Sequence, residues 1–155
     1  MSRGLREEIK QSRPFARRSA EALVSVLRTA AVLDHELNDV LRPHGLTLTQ
    51  YNVLRILRGA GEPGLCGREV GERLISSVPD VSRLLERMED LGVLRRERDE
   101  QDRRHVTARL TEAGRRLLET VTPELDAVER ARFGRLSESA LQAMITALAH
   151  VRETA

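Results

Sequence analysis

Leu74-Ile-Ser-Ser-Val-Pro-Asp-Val-Ser-Arg-Leu-Leu-Glu-Arg-Met-Glu-Asp-Leu-Gly-Val-Leu-Arg-Arg-Glu-Arg98, continuing through Asp99-Glu-Gln-Asp-Arg-Arg-His-Val-Thr-Ala-Arg-Leu110, is the stretch that decides the fold. Ser77 and Asp80 have the S-x-x-D spacing of a capping box, with Pro79 in the first turn where its missing N–H costs nothing. Val81, Leu84, Leu85, Met88 and Leu91 then recur at the 3–4 spacing of one buried helix face, and Gly92 supplies a C-terminal stop. The opposite face carries Pro79, Ser82, Arg83, Glu86, Arg87 and Asp90. Beyond the glycine, Val93–Arg98 and His105–Leu110 read as two strands around a charged loop, the second alternating cleanly.

Working upstream, Leu65–Leu74 reads as a short helix with Val70 and Leu74 inward, joined to the capped helix by Ile75-Ser76. Two helices, a tight turn and an arginine-tipped hairpin outline a winged helix-turn-helix. On that outline Ser76, Ser77, Pro79, Asp80, Ser82, Arg83 and Arg87 are the recognition-helix candidates for DNA contact, and Arg98, Asp102, Arg103 and Arg104 the wing candidates. Double-stranded DNA is the expected partner. From Arg95 to Arg109 there are six arginines against four acids, whereas Ser76–Leu91 has two against four. Phosphate attraction is therefore expected from the wing, and discrimination from the helix. Taken alone, either segment also reads as a solvated charged surface.

The flanks predict a mainly α chain with a small β-wing. Ala16, Ala20, Leu23, Val24, Leu27 and Ala31 begin a long apolar stripe that runs to Leu41, before Pro43. Thr47 and Gln50 form a second capping box, and Gly59–Gly64 a loop. Thr111 caps a helix that Pro123 is expected to end or kink, and Leu136-Ser137 opens another. Residues 1–13 are charged and read as an arm or a docking helix. The 155 residues fit one domain, 1–155, with a DNA-binding lobe at 46–110 and helices at 14–42 and 112–155 that interleave with a second copy. A formal charge of +2 argues only weakly for nucleic acid, so local clustering carries the case.

Enzymatic readings fail on the residues. Ser76, Ser77 and Ser82 have no glycine elbow, the Gly59–Gly64 loop lacks a Lys-Ser/Thr ending, and the four histidines are scattered. No catalytic residue, metal ligand set or cofactor is expected. Asp34, His35, Glu36 and Asp39 read as a solvated helix face before a metal site. A single cysteine, Cys66, permits no internal disulfide; beside Arg68 at a helix start its thiolate could be favoured, but a half-buried filler is the first reading. No apolar run has the length of a membrane span and no signal-peptide core opens the chain, so a cytoplasmic protein without a membrane partner is expected.

Leu46-Thr-Leu-Thr-Gln-Tyr-Asn-Val-Leu-Arg-Ile-Leu57, Val78–Leu94, and Asp102-Arg-Arg104 with Leu110-Thr-Glu-Ala-Gly114 together resemble the MarR family (multiple antibiotic resistance regulators) over residues 20–150. The resemblance implies a winged-helix dimer on palindromic operators, usually a repressor. It also implies that the wing's D-x-R motif falls on Asp102 and Arg104, with Arg104 entering the minor groove. It further implies a small-molecule effector between the dimer helices and the DNA-binding lobe, placed by position at Leu27, Ala31, His35, Tyr51 and Leu54. Oxidant-sensing relatives carry their cysteine in the first helix, a pattern from which Cys66 departs. The rival readings are a winged-helix module that binds protein only, and a redox- or metal-sensing regulator.

Overall fold

The computed structural model describes residues 4–98 and 106–153. The chain runs α1 (Leu5–Glu8), α2 (Arg18–Leu41), a 3-10 turn at Arg42–His44, α3 (Leu48–Ala60), β1 (Leu65–Cys66), α4 (Gly67–Arg73), α5 (Val81–Asp90), β2 (Leu94–Arg98), β3 (Val106–Leu110), α6 (Glu112–Phe133) and α7 (Glu138–Arg152). This is the mainly α winged helix-turn-helix expected from the sequence. Asp102, Arg103 and Arg104 lie outside the described residues.

Local chemistry sets most of the boundaries. Pro43 and the left-handed Gly45 end α2, and the Thr47 capping box is complete: Gln50 N–H donates to Thr47 Oγ1 at 3.2 Å and Thr47 N–H to Gln50 Oε1 at 2.9 Å. Thr111 caps α6 through Gly114 N–H at 3.1 Å, and Ser137 caps α7 through Ala140 N–H at 3.2 Å. Gly92 sits at φ +73 past the end of α5; its N–H donates to Glu89 O at 2.8 Å and that of Val93 to Met88 O at 3.3 Å. Those two bonds make a Schellman motif, which reverses the chain directly into β2.

The core lies where α3, α5, α6 and the hairpin meet. Leu54, Leu57, Met88, Leu94, Leu118 and Val121 are fully buried there. The sheet is antiparallel with β3 central: Leu94 pairs with Leu110 and Arg98 with Val106 on one side, Leu65 with Ala108 on the other. Within β3, Ala108 and Leu110 face the core as their alternation predicts.

Three local expectations are corrected. The recognition helix begins at Val81, not at Ser77, because Asp80 is the N-cap and accepts Arg83 N–H at 2.9 Å. Pro79 disfavours a helical Val78, so the helix cannot extend back through Ser77. Leu65-Cys66 forms a strand rather than the start of a helix, since β3 offers it a free edge. Finally, α6 passes through Pro123 without ending, with Val121 and Leu125 buried on either side of it. The charged N-terminus does contain a helix, α1, tied to α2 by Glu8 and Arg28 at 3.8 Å.

Gly114 shows how tightly α6 seats on the wing: a Cβ there would lie 2.1 Å from Val93 O and 2.9 Å from Leu110 Cδ1. Gly114→Ala is expected to cost at least ~1–3 kcal/mol by overpacking, read as a lower urea midpoint with an unchanged slope.

Candidate nucleic-acid interface

The helix-turn-helix is α4 followed by α5, with close approach allowed by Gly71, whose would-be Cβ meets Val81 Cγ2 at 3.2 Å. Leu84, Leu85 and Met88 face inward, which leaves Ser82, Arg83, Glu86, Arg87 and Asp90 on the outer face of α5. Ser76, Ser77 and Pro79 lie in the exposed turn before it. Pro79, Asp80 and Ser82 share an open groove with Cys66, Gly67 and Arg68 of the preceding element.

The ion pairs alter the charge balance read from sequence. Of the four acids near α5, Asp80 is spent on the cap. Glu89 accepts from the Arg96 backbone N–H at 2.8 Å and from its Nε at 2.9 Å, while Arg96 Nη1 reaches Glu86 at 3.4 Å. One arginine of the wing thus offsets half of the net −2 carried by Ser76–Leu91. Arg83 and Arg87 are exposed and have no carboxylate partner among the described residues.

Among the described residues, three of the four wing arginines are engaged by carboxylates. Besides Arg96, Arg95 faces Glu97 at 3.2 Å, and Arg109 bonds Glu97 and donates to Glu62 O at 2.6 Å. Arg98 is exposed and without a carboxylate among the described residues. Within α5 and the described part of the wing, Arg83, Arg87 and Arg98 are therefore the arginines left exposed without a carboxylate partner among the described residues. Sequence reasoning counted the wing's charge but missed the Arg96–Glu89 pairing. Its signal was an acid in the last helical turn and an arginine shortly past the glycine stop.

A second site lies between α2, α3 and α6, a cleft of about 440 Å³ lined by Leu33, Leu37, Leu48, Tyr51, Ile75, Leu125 and Phe133 with Asn52, Arg55, Asp126 and Glu129. The Tyr51 hydroxyl accepts from Arg55 Nη1 at 3.1 Å and stands 3.5 Å from Thr122 Oγ1; the Arg55 guanidinium lies 5.8 Å from the Tyr51 ring centre. Of the five positions expected in an effector pocket, Tyr51 alone lines this cleft. Leu54 is fully buried in the core, Leu27 and Ala31 are exposed, and His35 faces Asp39 at 3.3 Å. The reason is helical phase: Leu27, Ala31 and His35 share one face of α2, and Leu33 and Leu37 lie about half a turn away.

Cys66 is a half-buried free thiol at the N-cap of α4, where its backbone N–H donates to Glu69 Oε2 at 2.8 Å; the neighbouring Arg68 is engaged by Glu72 at 2.9 Å. Glu36 is likewise engaged, by the Arg132 guanidinium through two hydrogen bonds that join α2 to α6. Among the described residues no group of three or more His, Cys, Asp or Glu side chains is placed to hold a metal ion, and no helix is long and apolar enough to cross a membrane.

These elements define a winged helix-turn-helix, a fold that presents one helix and one hairpin on a common face. The family model for the MarR family matches residues 44–105. The transcriptional regulator HosA of Escherichia coli is 35% identical over 103 residues, covering 66% of this chain and 70% of HosA. Among solved structures, AbsC of Streptomyces coelicolor, a MarR family transcriptional regulator, superposes with a TM-score of 0.77 at 29% identity, over 92% of this chain and 100% of that one. Sco3205 of the same organism, solved in complex with DNA, gives 0.78 at 27% identity over 92% of each chain. The chain belongs to the MarR family and is a transcription regulator, not an enzyme.

The Arg96 backbone N–H and guanidinium hold the Glu89 carboxyl below its ordinary value of 4.5, against a smaller opposing effect of burial. A carboxylate depressed on folding stabilises the fold at neutral pH, and that contribution is lost as pH falls through the folded value. Wild-type stability is expected to fall below pH 4.5, and Glu89→Gln to be less stable at pH 7 with a flatter acid limb, measured by thermal melts from pH 7 to 3.

Proposed function

We propose that the protein is a homodimeric repressor of a palindromic operator, acting in the cytoplasm and released when a small molecule occupies the cleft beside Tyr51. The observation that carries the DNA contact is the distribution of ion pairs. The acids near α5 are largely taken up by Arg96 and by capping, while Arg83, Arg87 and Arg98 stay exposed and unpaired among the described residues. In this reading Ser76, Ser77, Pro79, Asp80, Ser82 and Arg83 face base edges, and Arg87, Arg98 and Arg103 hold phosphates. Asp102 and Arg104 enter through the D-x-R motif, with Asp102 orienting the arginine toward the minor groove.

The pairing of two copies rests on the terminal helices. Leu23 and Leu27 of α2 and Ile145 and Val151 of α7 are 60, 61, 55 and 64% exposed. A second copy covers these stripes, with residues 14–42 and 112–155 as the dimerisation segments and 46–110 as the DNA-binding lobe. Two-fold symmetry then sets two α5 helices about one DNA turn apart. A ligand wedged among Leu33, Tyr51, Ile75 and Leu125 touches α2, α6 and the turn before α5 together. It biases the lobe spacing away from the one that fits the operator.

The test is fluorescence anisotropy on the intergenic duplex beside the coding sequence and on duplexes selected from a random pool. Arg83→Ala is expected to weaken binding by ~1–3 kcal/mol and relax base preference, and Arg104→Ala to cost a similar amount. Arg87→Ala is expected to weaken all duplexes alike and lower the salt slope by about one. Failure of the native chain to bind any duplex at low salt would point to a protein-binding module instead. Sedimentation should give a dimer at micromolar concentration for the native chain and a monomer for Leu27→Asp.

A further inference from the structure

Arg96 occupies an unusual place among the arginines near α5. Its side chain is only 23% exposed, and it joins α5 to β2. One carboxylate, that of Glu89 in the last turn of α5, receives both the backbone N–H of β2 and the guanidinium of the same residue. Two donors on two oxygens fix rotation as well as separation, as a bidentate arginine pair does. The contact of Nη1 with Glu86 extends the clasp one turn up the helix. On the strand side, Arg96 pairs with Ala108 in the middle of the β2–β3 ladder, two residues from the outward Arg98.

We propose that Arg96 is a positioning residue for DNA recognition, setting the distance and angle between α5 and the wing so that both engage one duplex at once. This rests on the DNA-binding reading above. When two linked contacts fit the same target, the second forms within the complex at high effective concentration, and the gain is lost if the geometry does not match. The clasp preserves that match. The remaining titratable groups of the packed elements have other partners or face outward: Arg95 and Arg109 with Glu97, Asp80 with its cap, and Asp90 on the outer face of α5.

A rival role for Arg96 is simple neutralisation of Glu86 and Glu89, which would otherwise repel phosphate. Two variants separate the roles. Arg96→Gln breaks the clasp and leaves both acids. The triple variant Glu86→Gln, Glu89→Gln, Arg96→Gln removes two acids and one base, so it is one charge more positive than the native chain. Each is measured by anisotropy on a duplex selected with the native chain and on a scrambled duplex of equal composition, with far-UV circular dichroism as the check on folding. Positioning predicts that Arg96→Gln loses ~10-fold or more on the selected duplex, part of the ~100-fold or larger gain that linked contacts give. It predicts that the triple variant stays as weak there while binding the scrambled duplex more tightly than the native chain.

Native affinity in the triple variant would show that charge alone matters and overturn the proposal, as would native affinity in Arg96→Gln. Arg96→Lys, which keeps the charge but not the planar fork, carries the same test where Arg96→Gln does not fold, and is expected to be weak on the selected duplex only. Failure of the native chain on every duplex is a different result: it removes the DNA-binding reading itself, and this inference with it.

Discussion

The junction at Gly92-Val93 is the point on which the lobe depends. It ends the recognition helix, opens the wing and receives the start of α6. Val93 N–H closes the Schellman motif on Met88, while Val93 O accepts Thr111 N–H at 3.2 Å. The Thr111 hydroxyl donates to Gly92 O at 2.7 Å and accepts from Gly114 N–H at 3.1 Å, so one side chain ties the helix stop to the cap of the next helix. Gly114 then packs against the Val93 carbonyl with no space for a side chain. A bend in this junction would move α5, the hairpin and α6 relative to one another.

The electrostatics follow the same economy. The lobe has nearly as many acids as arginines, and most of them are used to hold its parts together rather than to project a field. Glu97 gathers Arg95 and Arg109, the Glu62 carboxylate pairs with Arg115 while its backbone carbonyl accepts from Arg109, and Glu89 receives Arg96. Exposed pairs of this kind each contribute little to stability. Their consequence is geometric and selective: they decide which arginines remain turned outward. The net charge is a modest +2, yet Arg83, Arg87 and Arg98 remain exposed without a carboxylate partner among the described residues.

Relating the two ends of the molecule is the task of α2 and α6. They pass each other beside the lobe and are joined by the Glu36–Arg132 pair and, near the 3-10 turn, by His44 and Glu124 at 3.1 Å. The cleft beside Tyr51 opens between these helices and the turn leading into α5. A guest there would bear on α2, α6 and the turn into α5 together, which gives the proposed effector a mechanical route without a long relay through the core.

Much of this was legible in the chain itself. Capping chemistry is local, so Thr47, Thr111, Ser137 and Gly92 marked their helix ends, and alternation in β3 marked its buried face. The periodicity of Val81, Leu84, Leu85 and Met88 identified the outward residues of α5 without reference to any neighbour. What required tertiary structure was everything that depends on a partner distant in sequence. Leu65-Cys66 is a strand only because β3 lies beside it, and α6 continues through Pro123 between the buried Val121 and Leu125. Leu33 and Leu37 line the cleft, while Leu27 and Ala31 do not, because packing fixes the rotation of α2. The sequence determined most of the elements, most of their ends and the class of surface they present; only the fold decided which charges cancel and which face the outside, because ion pairing depends on distances that no local pattern encodes.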